Sequence, residues 1–203
     1  MSEKTGSFQN KGFYLRTVLM FLVSFLFLLS VWIWLKDYYA IGLTHISFNL
    51  VSLTVGGVNF IKTDTENGVV KSTFEPVRHV YNKRFNLHVN TSTYTYNMPL
   101  TMAIVVTLLP HIRKRGRVVM ESLCLVVCTH LCYLYFGGVF HLADDLIKAG
   151  IYTTYALGMF LLNVDKLLFE FLEAMIIRFE PFLMAIYIYS RFRSTETPYI
   201  AET

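Results

Sequence analysis

Charge is scarce in this chain. Asp, Glu, Lys and Arg make up 16% of its 203 residues, against about a quarter in an ordinary soluble domain, so a fully solvated surface cannot be drawn from them. Cysteine is scarcer still. Cys124, Cys128 and Cys132 fall inside one apolar run without a Cys-x-x-Cys spacing, which excludes a disulfide scaffold and leaves the redox compartment unread. There is no Gly-x-Ser-x-Gly, no His-Glu-x-x-His and no phosphate loop, so the common signatures of hydrolases, zinc proteases and nucleotide enzymes are missing. No internal repeat or low-complexity stretch occurs. The net charge of +4 comes from basic residues beside apolar runs, not from a stripe interleaved with stacking aromatics, which argues against nucleic acid as a partner.

What fills the chain instead is hydrophobic: 54% of residues, with a mean hydropathy of +0.46. That composition belongs to a membrane protein. Residues 17–35 are uncharged and long enough to cross about 30 Å of hydrocarbon. Lys4, Lys11 and Arg16 precede the run, Trp32 and Trp34 stand at its end and Tyr38 and Tyr39 follow it, which predicts an uncleaved anchor with residues 1–16 in the cytoplasm and an outer aromatic belt. A second span is expected over 94–112, fixed by the cationic cluster Arg113, Lys114, Arg115 and Arg117 as a cytoplasmic hairpin at 113–117. A third, 118–140, returns outward, and a fourth, 175–193, places Arg191, Arg193 and the tail 194–203 inside. The expected fold is thus an α-helical membrane protein of four transmembrane helices with both termini cytoplasmic.

The outward segment 36–93 is too long for a turn. Ile41, Phe48, Val51 and Val55 recur at helical spacing and predict an amphipathic helix along the outer membrane surface. After Gly56-Gly57 the runs 58–66, 69–77 and 84–92, the first two joined at Asn67-Gly68, predict a small antiparallel β insert of three strands. Such a sheet has little stability alone and needs a helix or a partner against its apolar face. In the second outward segment, 141–174, Leu161, Val164, Leu168, Phe171 and Met175 oppose Asn163, Asp165, Lys166, Glu170 and Glu173, which predicts a second interfacial helix.

Two groups of side chains are candidates for function. Asn97 and Pro99 in the second span, and Arg178, Glu180 and Pro181 in the fourth, carry polar groups and a proline at the outward end at similar depth. Both prolines free backbone carbonyls that lipid cannot satisfy, so these ends are expected to face protein and to converge in a recess that holds a partner segment. The bland alternative is that they mark helix starts. The other group is Glu121, Cys124, Cys128 and Cys132 on one face of the third span, a conceivable thiol or metal site, with His130 roughly opposite. Cysteine as a small packing residue, Glu121 paired with Arg117, and His130 hydrogen-bonded to a neighbouring helix are the competing readings. No cofactor is expected.

The stretches Tyr96 to Leu100, Tyr-Asn-Met-Pro-Leu, and Pro181 to Arg191, Pro-Phe-Leu-Met-Ala-Ile-Tyr-Ile-Tyr-Ser-Arg, in an anchor, β insert, basic hairpin and final span, resemble the exosortase-associated membrane proteins that accompany type H exosortases. The resemblance implies a bacterial inner-membrane accessory protein that binds a multi-span sorting transpeptidase or its substrate; it carries over no catalytic residue. Two alternatives stand beside it. One is a small intramembrane thiol or metal enzyme built on the cysteine face; the other is a structural subunit of an envelope export complex.

Overall fold

The computed structural model describes residues 5–66, 69–77, 84–90, 94–112, 114–151 and 156–192. Thr5–Val55 is one helix, α1. The expected break between a span at 17–35 and a surface helix at Ile41 to Val55 does not occur, because no proline lies between 36 and 55 and Gly42 alone costs only about 1 kcal/mol. The helix therefore runs on for roughly 76 Å. What changes along it is its surroundings: from 12 to 39 no residue is buried, whereas Ala40, Leu43, Phe48 and Val51 are enclosed.

Gly56 and Gly57, with φ of 67° and 65°, end α1 in the left-handed conformation that glycine adopts without penalty. The chain then enters β1 (Val58–Glu66), β2 (Val69–Pro76) and β3 (Phe85–Asn90), an antiparallel sheet in the order β1-β2-β3. The Asn67-Gly68 turn lies outside the described residues. Alternation decides which face is covered: Phe85 and Leu87 are buried while Asn86 and His88 are exposed. The covered face meets protein: Phe74 lies in one cluster with Phe48 and Val51 of α1 and Leu142 and Leu146 of a later helix. The rings of Phe48, Phe60 and Phe74 stand 5.5 to 6.5 Å apart. The end of α1 thus supplies the support that so small a sheet needs.

Helix α2, Met98–Leu108, is short: eleven residues, or about 16 Å. Pro99 stands in its first turn, and after Leu108 the chain tightens into a 3₁₀ turn at Leu109–His111 that contains Pro110. Two prolines eleven residues apart bound the α-helix more tightly than the expected span 94–112. Arg113 lies outside the described residues, and Lys114, Arg115 and Arg117 are exposed at the turn into α3, Arg115–Lys148. Helix α3 ends at Gly150 (φ 71°) in a paired cap, with the Gly150 N–H donating to Ile147 O and the Ile151 N–H to Leu146 O. By length and composition α1 and α3 can cross a bilayer; the four spans expected from sequence reduce to these two plus the short apolar α2 and a composite last helix.

That last helix comprises α4 (Ala156–Phe171), a π-helical segment (Leu172–Ile177) and α5 (Arg178–Phe192), in immediate succession. It runs antiparallel beside α3. Phe169 meets Tyr133 and His141, Glu180 meets His130, and Tyr187 meets Glu121. The expected interfacial helix is therefore the first part of the same rod, drawn onto α3 by Phe169, with Leu161, Phe171 and Met175 left exposed. Helix α1 packs parallel to α3 on its other side, through Tyr39 on His130, the Ser47 hydroxyl donating to Leu131 O, and Phe48 and Val51 over Gly138.

Gly137 and Gly138 make the close approaches possible, since a Cβ at Gly138 would lie 2.9 Å from both Phe48 and Val51. Gly138→Ala should destabilise the protein by about 1–3 kcal/mol through overpacking. Gly42→Ala, with nothing within 4 Å, should instead stabilise by about 0.5–1 kcal/mol through helix propensity. Thermal unfolding of the two variants in detergent, followed by circular dichroism, checks both signs.

Candidate functional site

Midway along the bundle the polar side chains of four helices meet. His130 of α3 is completely buried. Its Nε2 lies 2.8 Å from Glu180 Oε2 on α5, and its Nδ1 lies 2.8 Å from the Tyr39 hydroxyl on α1. The other carboxyl oxygen, Oε1, accepts a hydrogen bond of 2.8 Å from the Thr101 hydroxyl on α2. One proton arrangement satisfies every member: Tyr39 donates to Nδ1, Nε2–H donates to the carboxylate, and Thr101 donates to its second oxygen. The rings of Tyr94 and Tyr39 pack edge-on against the imidazole at 5.7 and 5.9 Å.

A second polar contact depends on a missing donor. In an α-helix the N–H of Pro181 would bond to the carbonyl of Ile177, four residues earlier, and proline has no N–H to give. Asn97 takes that place, its Nδ2 donating to Ile177 O. The π-helical turn directly before α5 lies at the same point, as such turns do where an α-helix adjusts around a local constraint. Asn97 does not cap its own helix with its side chain, although its carbonyl accepts the Thr101 N–H at 2.8 Å. Asn97 and Thr101, one turn apart on α2, thus grip successive features of the last helix, the freed carbonyl and the carboxyl beside it.

The sequence candidates divide accordingly. Asn97 and Glu180 do converge, and both are nearly inaccessible, at 3% and 4% exposure. Pro99 and Pro181 are buried with them, whereas Arg178 is exposed and turns away from the cluster. Glu180 also borders a crevice of about 170 Å³ between α3 and α5, lined in part by Thr129, Met184 and Tyr187; neither Asn97 nor Arg178 lines it. Pro99 conforms to the helix-start reading, in a first turn where its missing N–H costs nothing. Pro181 lies inside the last helix and does not. Tyr39 and Thr101 were missed as partners. The signal for Thr101 is its i, i+4 spacing from Asn97 in an otherwise apolar helix; Tyr39 is indistinguishable in sequence from the interfacial aromatics beside it.

The cysteine constellation does not assemble. Cys124, Cys128 and Cys132 are all exposed on the outer face of α3. Glu121 is held by Arg117, the expected i, i+4 pair, and by the Tyr187 hydroxyl at 2.9 Å. His130 faces the interior. Among the described residues no three His, Cys, Asp or Glu side chains are grouped to hold a metal.

Comparison with known proteins adds one match. The sequence model of the family described as exosortase H-associated membrane protein matches residues 9–192. No curated protein and no solved structure matches the chain.

Removing one member of a buried hydrogen-bonded pair leaves the other unpaired, which costs more than the bond itself is worth. His130→Ala should therefore destabilise by about 3–5 kcal/mol. Glu180→Gln, which can still accept from His130, should lose only about 1 kcal/mol, and Arg178→Ala under about 0.5 kcal/mol. Asn97→Ala should cost about 1–3 kcal/mol by orphaning Ile177 O. Because Pro181→Ala restores the missing N–H, Asn97→Ala should cost markedly less in a Pro181→Ala background. Thermal or denaturant unfolding of the six variants, counting Pro181→Ala alone and combined with Asn97→Ala, in one detergent measures these differences; equal losses for Asn97→Ala in both backgrounds would show that the carbonyl is not what Asn97 serves.

Proposed function

The chain belongs to the exosortase H-associated membrane protein family, and from that premise we propose that it is a noncatalytic inner-membrane accessory protein that binds the sorting enzyme or the enzyme's substrate. The observation that carries this reading is the match of residues 9–192 to a family described by its association. The interior agrees with it. The titratable groups of the central cluster are hydrogen-bonded to one another and buried, which suits a helix clamp, and among the described residues the exposed thiols belong to no group that could hold a metal.

The partner is a multi-span membrane protein, and two exposed regions are the surfaces offered to it. The first half of α1 contains the most apolar stretch of the chain and buries none of it, leaving Leu19, Leu22, Val23, Leu26 and Phe27 open. Phe21, Ser24, Phe25, Leu28 and Trp32 form a half-buried stripe, and it is the face opposite to them that lies open. Arg178 stands exposed beside the π-helical turn, where a cation near the outer interface can meet an acidic or carbonyl group. Asn97, Pro99, Glu180 and Pro181 act from within, setting the shape of the helices that present these surfaces. In this arrangement the chain lies in the bacterial inner membrane with four helical crossings and both termini in the cytoplasm. The basic turn at Lys114, Arg115 and Arg117 lies inside and the sheet outside.

A photoreactive residue at Phe27, and separately at Arg178, tests the proposal in membranes that contain the type H exosortase. Adducts with the exosortase are expected from Phe27; adducts with lipid alone from both positions would contradict a docking role. In the same cells Cys124→Ser, Cys128→Ser and Cys132→Ser combined should restore sorting to a strain lacking the chain as well as the native sequence does. Failure of that triple variant despite normal abundance would revive the thiol enzyme.

A further inference from the structure

Away from the central cluster, a cavity of about 240 Å³ lies between the sheet and the helices. One wall is β3, from Asn86 to Asn90, and the facing wall includes Gly137, Gly138, His141 and Asp145 of α3. Five consecutive residues of a strand point alternately to its two faces, so all of them border one cavity only where that cavity meets the edge of the strand. Among the described residues β3 is an edge strand, paired with β2 on one side. The side chain of Asn86 is already engaged, accepting a hydrogen bond of 3.0 Å from Thr73, and Leu87 is buried beneath the sheet. What the central residues of β3 turn toward the cavity is therefore backbone.

The opposite wall is apolar beside Gly137 and Gly138, where the places their side chains would take are occupied by the rings of Phe169 and Phe48, which also line the cavity. At one end stands Asp145. Among the described residues its carboxylate makes no ion pair, since the nearby Lys148 is taken by Asp144. His88 and His141 stand at the same cavity. A slot bounded by a strand edge favours a chain that can pair with it.

We propose that this cavity receives an extended polypeptide segment of a partner protein, which adds to β3 as a fourth strand and sets a Lys or Arg side chain beside Asp145. Main-chain hydrogen bonds to an exposed edge supply affinity without reading sequence, and the carboxylate supplies register and charge preference. The inference goes beyond the accessory reading and does not rest on it, because any protein that presents such a segment would fit.

The test uses the full-length protein in lipid nanodiscs and three probes: the peptide acetyl-Thr-Val-Lys-Val-Thr-Val-amide, the same peptide N-methylated at alternate residues, and its Gln-for-Lys version. Amide hydrogen exchange at the alternate positions of residues 86–89 whose N–H groups point away from β2 should slow about tenfold or more with the first peptide and not with the N-methylated one. Asp145→Asn should weaken binding of the Lys peptide about tenfold while leaving the Gln peptide unchanged. No slowing at about 1 mM peptide, the weak end of measurable affinity, overturns the proposal. So does equal binding of the N-methylated peptide. Protection of those outward-pointing amides without peptide would mean that the chain fills its own groove, and protection that rises with protein concentration alone would mean a second copy does; either result also overturns it. A failure here with exosortase adducts at Phe27 would leave the accessory reading intact, and the reverse pattern would leave the groove intact.

Discussion

The contact between His130 and Glu180 sets the terms for the rest of the molecule. A carboxyl and an imidazole carried on apolar helices are tolerated only when each finds a partner, because neither water nor lipid is at hand to replace one. Here each finds two. Glu180 is shared by His130 and Thr101, and His130 by Glu180 and Tyr39. Meeting those demands fixes the rotation of four helices about their axes at one level. α1 must present Tyr39, α2 must present Thr101, and the last helix must turn Glu180 inward even though Arg178, two residues earlier, then points out.

The neighbouring proline tightens the same junction. Pro181 removes the donor that Ile177 O would have had, and Asn97 supplies another from a different helix. A local defect in one helix thereby becomes a tie between two. Glu180, Pro181 and Ile177 are adjacent on the last helix, and Asn97 and Thr101 are adjacent on α2, so two short segments carry the junction between them. Below it, Glu121 joins α3 to α5 through Tyr187 at the basic end; above it, the phenylalanines of α1 and the sheet close the opposite end. With the polar needs of that junction met internally, the surfaces proposed for a partner are the exposed face of α1, Arg178 and the edge of β3. That distribution suits an accessory protein, whose work is done by what it presents outward.

Much of this was legible in the sequence, and the parts that were not have physical reasons. The strands were readable because alternation such as Phe85, Leu87 and Val89 against Asn86, His88 and Asn90 has a period no helix shares. The need of Asn97 and Glu180 for partners was readable because both are expensive in an apolar setting wherever they stand. The continuity of α1 was not, since an amphipathic pattern from Ile41 to Val55 is produced equally by a helix on a membrane surface and by one packed against a second helix and a sheet. The same ambiguity hid the merger of α4 with α5. The pairing of His130 with Glu180 needed three dimensions: fifty residues separate them, and nothing in the local sequence of either names the other. The cysteine row misled for the converse reason, as regular spacing puts residues on one face without saying whether that face looks inward.

The central claim is that His130 and Glu180 act as one unit joining the helices. A double-mutant cycle in bicelles, using His130→Ala, Glu180→Ala and both together with unfolding measured under identical conditions, tests it most directly. The account predicts that the double variant loses less than the sum of the single losses by about 1 kcal/mol or more, because the second substitution removes a group already left unpaired. Strict additivity would contradict it, showing that the two side chains lie together without holding anything.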